Sequence, residues 1–169
     1  ATTEIYPLSL PDALPISVWN NAAPILFPIV GGLENDRYTH DGRSYSMQKH
    51  GFARRSEFSV IRQETGRAAF RLTANDSTRQ QYPFEFVLDV EFSVPAESTI
   101  RCDYIVKNAG DAPMPFVVGS HPAVKVPFAG GSYQDYRIQF ETKEDLNRYS
   151  AVAMLLSDEP THQIGRAHV

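Results

Sequence analysis

Phe84-Glu85-Phe86-Val87-Leu88-Asp89-Val90-Glu91-Phe92-Ser93-Val94 is the stretch on which the fold turns. Apolar side chains stand at 84, 86, 88, 90, 92 and 94. Glu85, Asp89, Glu91 and Ser93 occupy the other register, with Val87 the exception. A strand sends successive side chains to opposite faces, so a period of two over this length specifies a strand with one buried face. Pro95-Ala96-Glu97-Ser98 then turns the chain, and Ile100, Cys102, Tyr104 and Val106 alternate against Arg101, Asp103 and Lys107. The two runs are expected to pair antiparallel and to lay a single apolar face on a core. Burying one phenylalanine contributes about 1.5–3 kcal/mol, an upper bound because ordering the chain opposes it.

Working outward, the same grammar recurs. Arg37-Tyr38-Thr39-His40 and Arg43-Ser44-Tyr45-Ser46-Met47 flank Asp41-Gly42, a pair that tolerates the positive φ of a two-residue hairpin turn. His40 beside that turn reads as a solvated surface residue. Glu57–Arg62 and Ala68–Thr73 make a second hairpin around Thr65-Gly66, and Asn75-Asp76-Ser77-Thr78 reads as a polar loop. Toward the N-terminus, Val18–Pro28 carries too many prolines for a long helix, and Gly31-Gly32 reads as a turn after a short buried strand. Toward the C-terminus, Met114–Val118 reads as a short strand leading into Ser120-His121-Pro122. Gly130-Gly131 marks a loop, Tyr136, Ile138 and Phe140 alternate again, and Thr142–Leu156 admits a short, poorly phased helix. Many short strands joined by turns define an all-β, antiparallel sandwich class.

The two ends are set apart from this pattern. Ala1–Ile16 resembles the conceptual translation of a sequencing adapter, from which it departs at Pro7 and Pro11. Ile164–Val169 resembles a translation of the opposite adapter. The expected organisation is therefore 1–17 outside the fold, 18–162 as one partial β-sandwich domain, and 163–169 outside the fold. That middle stretch is long enough for one domain with a real core.

Composition narrows the partners. A net charge of −4 argues against nucleic acid or an anionic membrane as the main partner. Cys102 is the one cysteine, which excludes an internal disulfide framework and a cysteine-based zinc site. No apolar run is long enough to span a bilayer, and Ala1–Ser17 lacks the basic start and unbroken apolar stretch of a signal peptide. A cytoplasmic location is the expectation.

Two stretches carry residues suited to chemistry. In Lys49-His50-Gly51-Phe52-Ala53-Arg54, a histidine that titrates near neutrality lies four positions from a permanently charged, fork-shaped guanidinium. Gly51 leaves room beside His50 for a ligand or a tight backbone turn. In Gly119-Ser120-His121-Pro122, the proline restricts His121 to extended conformations, which suits a strand-end histidine pointing into a cleft. Each also has a structural reading: His121 bonded to nearby backbone, His50 capping a turn, Arg54 covering a core edge. His40, His50 and His121 lack metal-ligand spacing. Ser120 lies in no nucleophile elbow, and Cys102 falls on an apolar strand face, as an inert core thiol does.

Ile25-Leu26-Phe27-Pro28-Ile29-Val30-Gly31, Lys49–Arg54, Tyr82-Pro83-Phe84 and Gly119-Ser120-His121-Pro122-Ala123, in this order, resemble the aldose 1-epimerase (galactose mutarotase-like) family, particularly its LacX-like branch. His50-Gly51-Phe52-Ala53-Arg54 also resembles the hexose-6-phosphate mutarotases of the same superfamily. The resemblance implies an antiparallel β-supersandwich, incomplete here at the C-terminus, and interconversion of the α and β anomers of a free hexose. It implies His121 as general acid at the ring oxygen and His50 as a hydrogen-bonding partner of the ring oxygen or anomeric hydroxyl. Arg54 would fix the sugar. A monosaccharide is the implied partner, with no metal or organic cofactor; the oligomeric state is left open. The family's general base is a glutamate near its C-terminus, and no segment here matches that motif, neither at Glu141 nor at Glu144. Gly32–Arg37 stands where many members carry an asparagine and an arginine, and Val124 where an aromatic is common. The chain is thus expected to be a fragment, inactive by itself, of an isomerase. The alternatives are a non-catalytic carbohydrate-binding module and a hexose-6-phosphate mutarotase, for which Lys49, Arg54 and Arg55 offer phosphate donors.

Overall fold

The computed structural model describes residues 24–97, 99–122, 127, 129–137, 148–152 and 155–161. In chain order the elements are β1 (Ile25–Leu26), β2 (Arg37–His40), β3 (Arg43–Ser46), β4 (Ser59–Glu64) and β5 (Arg67–Thr73), then a short helix α1 (Asp76–Gln81). There follow β6 (Phe86–Ser93), β7 (Arg101–Asn108), β8 (Gly119–Ser120), β9 (Arg148–Val152) and β10 (Leu155–Thr161). Every ladder between these strands is antiparallel. The all-β class expected from the alternation is the observed one.

The alternating stretch forms the centre of a four-stranded meander, β4-β5-β6-β7. Leu88 pairs with Leu72 on one side and Val106 on the other, and Val90 pairs with Phe70 and Tyr104. These residues share one face, and on it Leu88 and Val90 are fully buried with Phe86. Phe27, Met47, Phe52, Phe58, Tyr82 and Phe84 complete the core above that face. The two tight hairpins match their turn sequences: Asp41 and Gly42 adopt φ of 47° and 73°, and Gly66 adopts 73°.

The outer face of the same sheet holds an ion pair. Arg71 donates through Nε and Nη2 to the two carboxylate oxygens of Asp89, at 2.6 and 2.8 Å. Lys107 Nζ stands 3.9 Å away. Asp89, expected to face solvent, is only 3% exposed, because the arginine lies across it. The Arg71 hydrogen bond holds its carboxyl below the ordinary range; burial opposes this, while the charges of Arg71 and Lys107 assist.

Several expectations change. Asn75–Thr78 is no loop: it starts α1, with Asn75 Oδ1 accepting from the Thr78 amide at 3.0 Å and Thr78 Oγ1 accepting from the Asn75 amide at 2.8 Å. That reciprocal pair is a helix-start signal carried by Asn and Thr, not only by Ser and Glu. Residues 148–152 and 155–156, within the stretch considered for a helix, are strands of a hairpin. Met114–Val118 carries no strand, since Pro113 and Pro115 lack the amide hydrogens a ladder needs; the strand falls on β8. Ile100 precedes β7 and is 72% exposed, so it is not part of the apolar face. His40 is half-buried: one side of its ring packs near Phe84, with centroids 4.7 Å apart, while its Nε2 stays toward the surface, 3.4 Å from the exposed carboxylate of Asp41. Ile138 and Phe140 lie outside the described residues.

Leu88→Ala is expected to lower stability by about 2–5 kcal/mol, read from urea denaturation. Ile105→Ala, on the outer face of the neighbouring strand, should cost far less. Because Asp89 has a depressed folded pKa, its contribution is complete above the ordinary carboxylate range and is lost as pH falls through the folded value. The denaturation midpoint should therefore drop below about pH 4, and Asp89→Asn should flatten that part of the profile.

Candidate functional site

The site is assembled on a short strip, Pro24–Gly31. β8 pairs with β1 through Ile25–Ser120 and Leu26–Gly119, and the His121 amide donates to the Pro24 carbonyl at 3.3 Å. The Phe27 carbonyl accepts from the amides of Phe52 and Ala53 at 3.1 and 3.2 Å, and Phe27 forms a parallel bridge with Gly51. Farther along, the His50 amide donates to the Gly31 carbonyl at 2.7 Å. One strip thus ties down both histidine-bearing stretches.

Gly51 is where the second stretch meets the strip. Its φ is +68°, and a Cβ there would stand 2.2 Å from the Phe27 carbonyl oxygen and 2.8 Å from Pro28 Cδ. Of the two reasons weighed for this glycine, room for a ligand and a tight backbone turn, the geometry supports the second, the Gly51 amide closing a turn on the Gln48 carbonyl at 2.9 Å, and adds the close approach to Phe27.

His50 is half-buried and adopts φ of +69°. Its Nδ1 accepts a hydrogen bond from the Gly31 amide at 3.0 Å. A neutral imidazole that accepts at Nδ1 carries its proton at Nε2. Burial, first, and then the charges of Lys49, Arg54 and His121 lower its pKa from the ordinary histidine value. The last of these puts His121 within electrostatic reach of His50. His121 itself is exposed, and the residue before it is anchored: Tyr104 donates its hydroxyl hydrogen to Ser120 Oγ at 3.0 Å.

Arg54 lies in a 3-10 turn, Ala53–Arg55, directly after the bridge. Its Nε is buried and has no hydrogen-bond partner among the described residues. Burial and the neighbouring Arg55 pull its guanidinium below its ordinary value, although an arginine remains charged. Arg55 is engaged otherwise, donating to the Gln48 side-chain oxygen. Along the strip stand partly exposed apolar side chains: Phe116, whose ring is 6.1 Å from Phe27, and Val30, which approaches Gly119.

The structure therefore gathers His50, Arg54 and His121 around one strip and leaves His40 on the core edge near Phe84. No group of three or more His, Cys, Asp or Glu side chains among the described residues is placed to hold a metal ion. Cys102 packs against the core, where burial pushes its thiol pKa up. Val124 lies outside the described residues. Sequence reasoning missed the role of Gly31 as the partner of His50. Gly31-Gly32 signalled a turn, and nothing in the residues themselves links that turn to a histidine 19 positions away.

Comparison with known proteins relates the chain to a family and a fold. Residues 11–156 match the family model described as Aldose 1-epimerase. The chromosomal LacX protein of Lactococcus lactis subsp. lactis is 34% identical over 133 residues, 75% of this chain and 44% of LacX; the plasmid-borne LacX gives the same figures. A crystal structure of a galactose mutarotase related enzyme from Lactobacillus acidophilus superposes with a TM-score of 0.64 at 34% identity, over 78% of this chain and 42% of that one. A galactose mutarotase-like protein from Lactobacillus casei superposes with a TM-score of 0.59 at 36% identity, over 62% of this chain and 35% of that one. The fold is thus of the galactose mutarotase-like type. The chain spans less than half the length of each of these relatives.

Gly51→Ala is expected to destabilise the chain by more than the roughly 1–3 kcal/mol of a strained backbone conformation, because the added methyl also collides with the Phe27 carbonyl. Chemical denaturation measures this, and the Phe27–Gly51 bridge should be lost with it.

Proposed function

The chain belongs to the aldose 1-epimerase family, and from that premise we propose that it is part of a mutarotase acting on a free hexose. The reaction opens the sugar ring, lets the aldehyde rotate, and recloses the ring on the other face. A proton has to reach the ring oxygen while another leaves the anomeric hydroxyl, and both transfers need groups that ionise near working pH. His121 is the general acid at the ring oxygen. His50 hydrogen-bonds the sugar around the ring oxygen or anomeric hydroxyl and steadies the charge that develops there. Arg54 fixes the sugar through its donors.

One observation carries the reading: backbone bonding brings His50 and His121 to a single strip, and Arg54, whose buried Nε has no partner among the described residues, follows the Phe52 and Ala53 amides that bond to that strip. A buried donor without an acceptor is costly in a folded protein, and a sugar hydroxyl supplies the acceptor it lacks. The apolar surface of Val30 and Phe116 alongside suits the carbon face of a sugar ring. No residue of this chain is assigned the role of general base.

The test is anomer exchange followed by polarimetry or proton NMR. This chain alone should exchange glucose anomers at the uncatalysed rate. In a form extended to the length of its relatives, exchange should be fast, and His121→Ala should reduce turnover by about 10²–10⁴. Unchanged turnover would remove His121 from the mechanism. Sugar binding without exchange in the extended form would instead assign a binding module, and preference for glucose 6-phosphate over glucose a phosphosugar enzyme.

A further inference from the structure

We infer that the backbone amide of Gly31 fixes His50 as its Nε2–H tautomer, so that His50 serves the site as a hydrogen-bond donor and not as a proton acceptor. The inference deepens the mutarotase reading and rests on it for the identity of the acceptor, but not for the tautomer.

The two residues are joined twice. The Gly31 amide donates to His50 Nδ1 at 3.0 Å, and the His50 amide donates to the Gly31 carbonyl at 2.7 Å. Both residues have left-handed backbones, with φ of +86° and +69°. A proton on Nδ1 would set an N–H against the Gly31 N–H across that 3.0 Å gap, so the other neutral tautomer and the imidazolium each break the bond. The charged and titratable groups that act on the ring, Lys49, Arg54 and His121, all disfavour a second proton, and burial acts in the same direction. Only Nε2–H remains to meet a ligand, and it can donate but not accept. Of the two histidines, His121 is then left to move the proton, while His50 holds an oxygen of the substrate at fixed distance. The amide of Gly31 acts through His50, as a positioning group.

Two measurements test this, on the chain and on its length-extended form alike. In protein labelled with nitrogen-15 histidine, long-range proton–nitrogen correlations should show His50 with an unprotonated Nδ1 and a protonated Nε2 near neutral pH. That pattern should persist into more acidic solution than for an ordinary histidine. An Nδ1–H tautomer, or an imidazolium near neutral pH, would overturn the inference. The second measurement separates the two nitrogens. His50→Asn keeps an acceptor near the Nδ1 position and tolerates positive φ. His50→Gln places its amide near the Nε2 position and abandons the Gly31 amide. The Asn variant should keep the wild-type urea midpoint while its extended form loses anomer exchange, and the Gln variant should lower the midpoint. Equal destabilisation by both would also overturn the inference. If the tautomer is as stated but the extended protein exchanges no sugar anomers, the mutarotase reading fails and the clamp stands.

Discussion

The carbonyl of Phe27 is the point from which the rest of the site is hung. It accepts two amides, from Phe52 and Ala53, beside Gly51, where a Cβ would collide with it. The same residue's ring is fully buried among Phe52, Tyr82 and Phe86, with centroids 6.1, 6.1 and 5.1 Å away. Backbone and side chain of one residue thus join the site to the core. The aromatic cluster supplies apolar burial, which is strong and non-directional. The two hydrogen bonds supply direction, which burial cannot. Loss of either leaves the His50 stretch tied to the strip through Gly31 alone.

The meander holds the other half of the site in a comparable way. Tyr82, buried between the helix and β6, donates its hydroxyl to the Pro115 carbonyl at 2.8 Å, and burial drives its pKa well above the ordinary phenol value. Tyr104 on β7 donates to Ser120, and burial pushes its pKa up to about 12. Both phenols remain protonated donors across the physiological range. They anchor the 115–120 stretch, which carries few ladder bonds of its own: Pro113 before it and Pro115 at its start have no amide hydrogen to give. The position of His121 therefore depends on side chains of the sheet as much as on the two-residue β1–β8 pairing.

What the sequence made legible is what local physics decides. Phe86–Ser93, within the alternating run Phe84–Val94, reads as a strand because side-chain alternation is visible within a single stretch, although Val94 lies past its end and is exposed; Asp41-Gly42 and Thr65-Gly66 read as turns because their φ demands are met by the residues themselves. The helix start at Asn75 was local too, but Asn-Asp-Ser-Thr also suits a loop, and its reciprocal bonds distinguish the two only in three dimensions. β1 and β8 are two residues each, too short to show any period, and they pair across 93 positions. The link between Gly31 and His50 is likewise non-local. The resemblance named His50, Arg54 and His121, but how they are held had to come from backbone contacts that no residue pattern encodes.

His50 and Gly51 follow one another in the left-handed region, and that fact bears on why this stretch can carry function. Glycine adopts such a backbone freely; histidine does so at a cost of order 1–3 kcal/mol unless its surroundings over-determine it. Here they do. His50 is held by its amide, by its ring nitrogen and by the next residue's approach to Phe27, each bond made to the same strip. A histidine held by its ring alone could rotate, and one held by its backbone alone could exchange tautomers. Bonded at both, its free nitrogen has one position and one protonation state to offer. Within this stretch the strain falls on the residue whose geometry the site requires, and the strip that imposes it is the same one that carries His121.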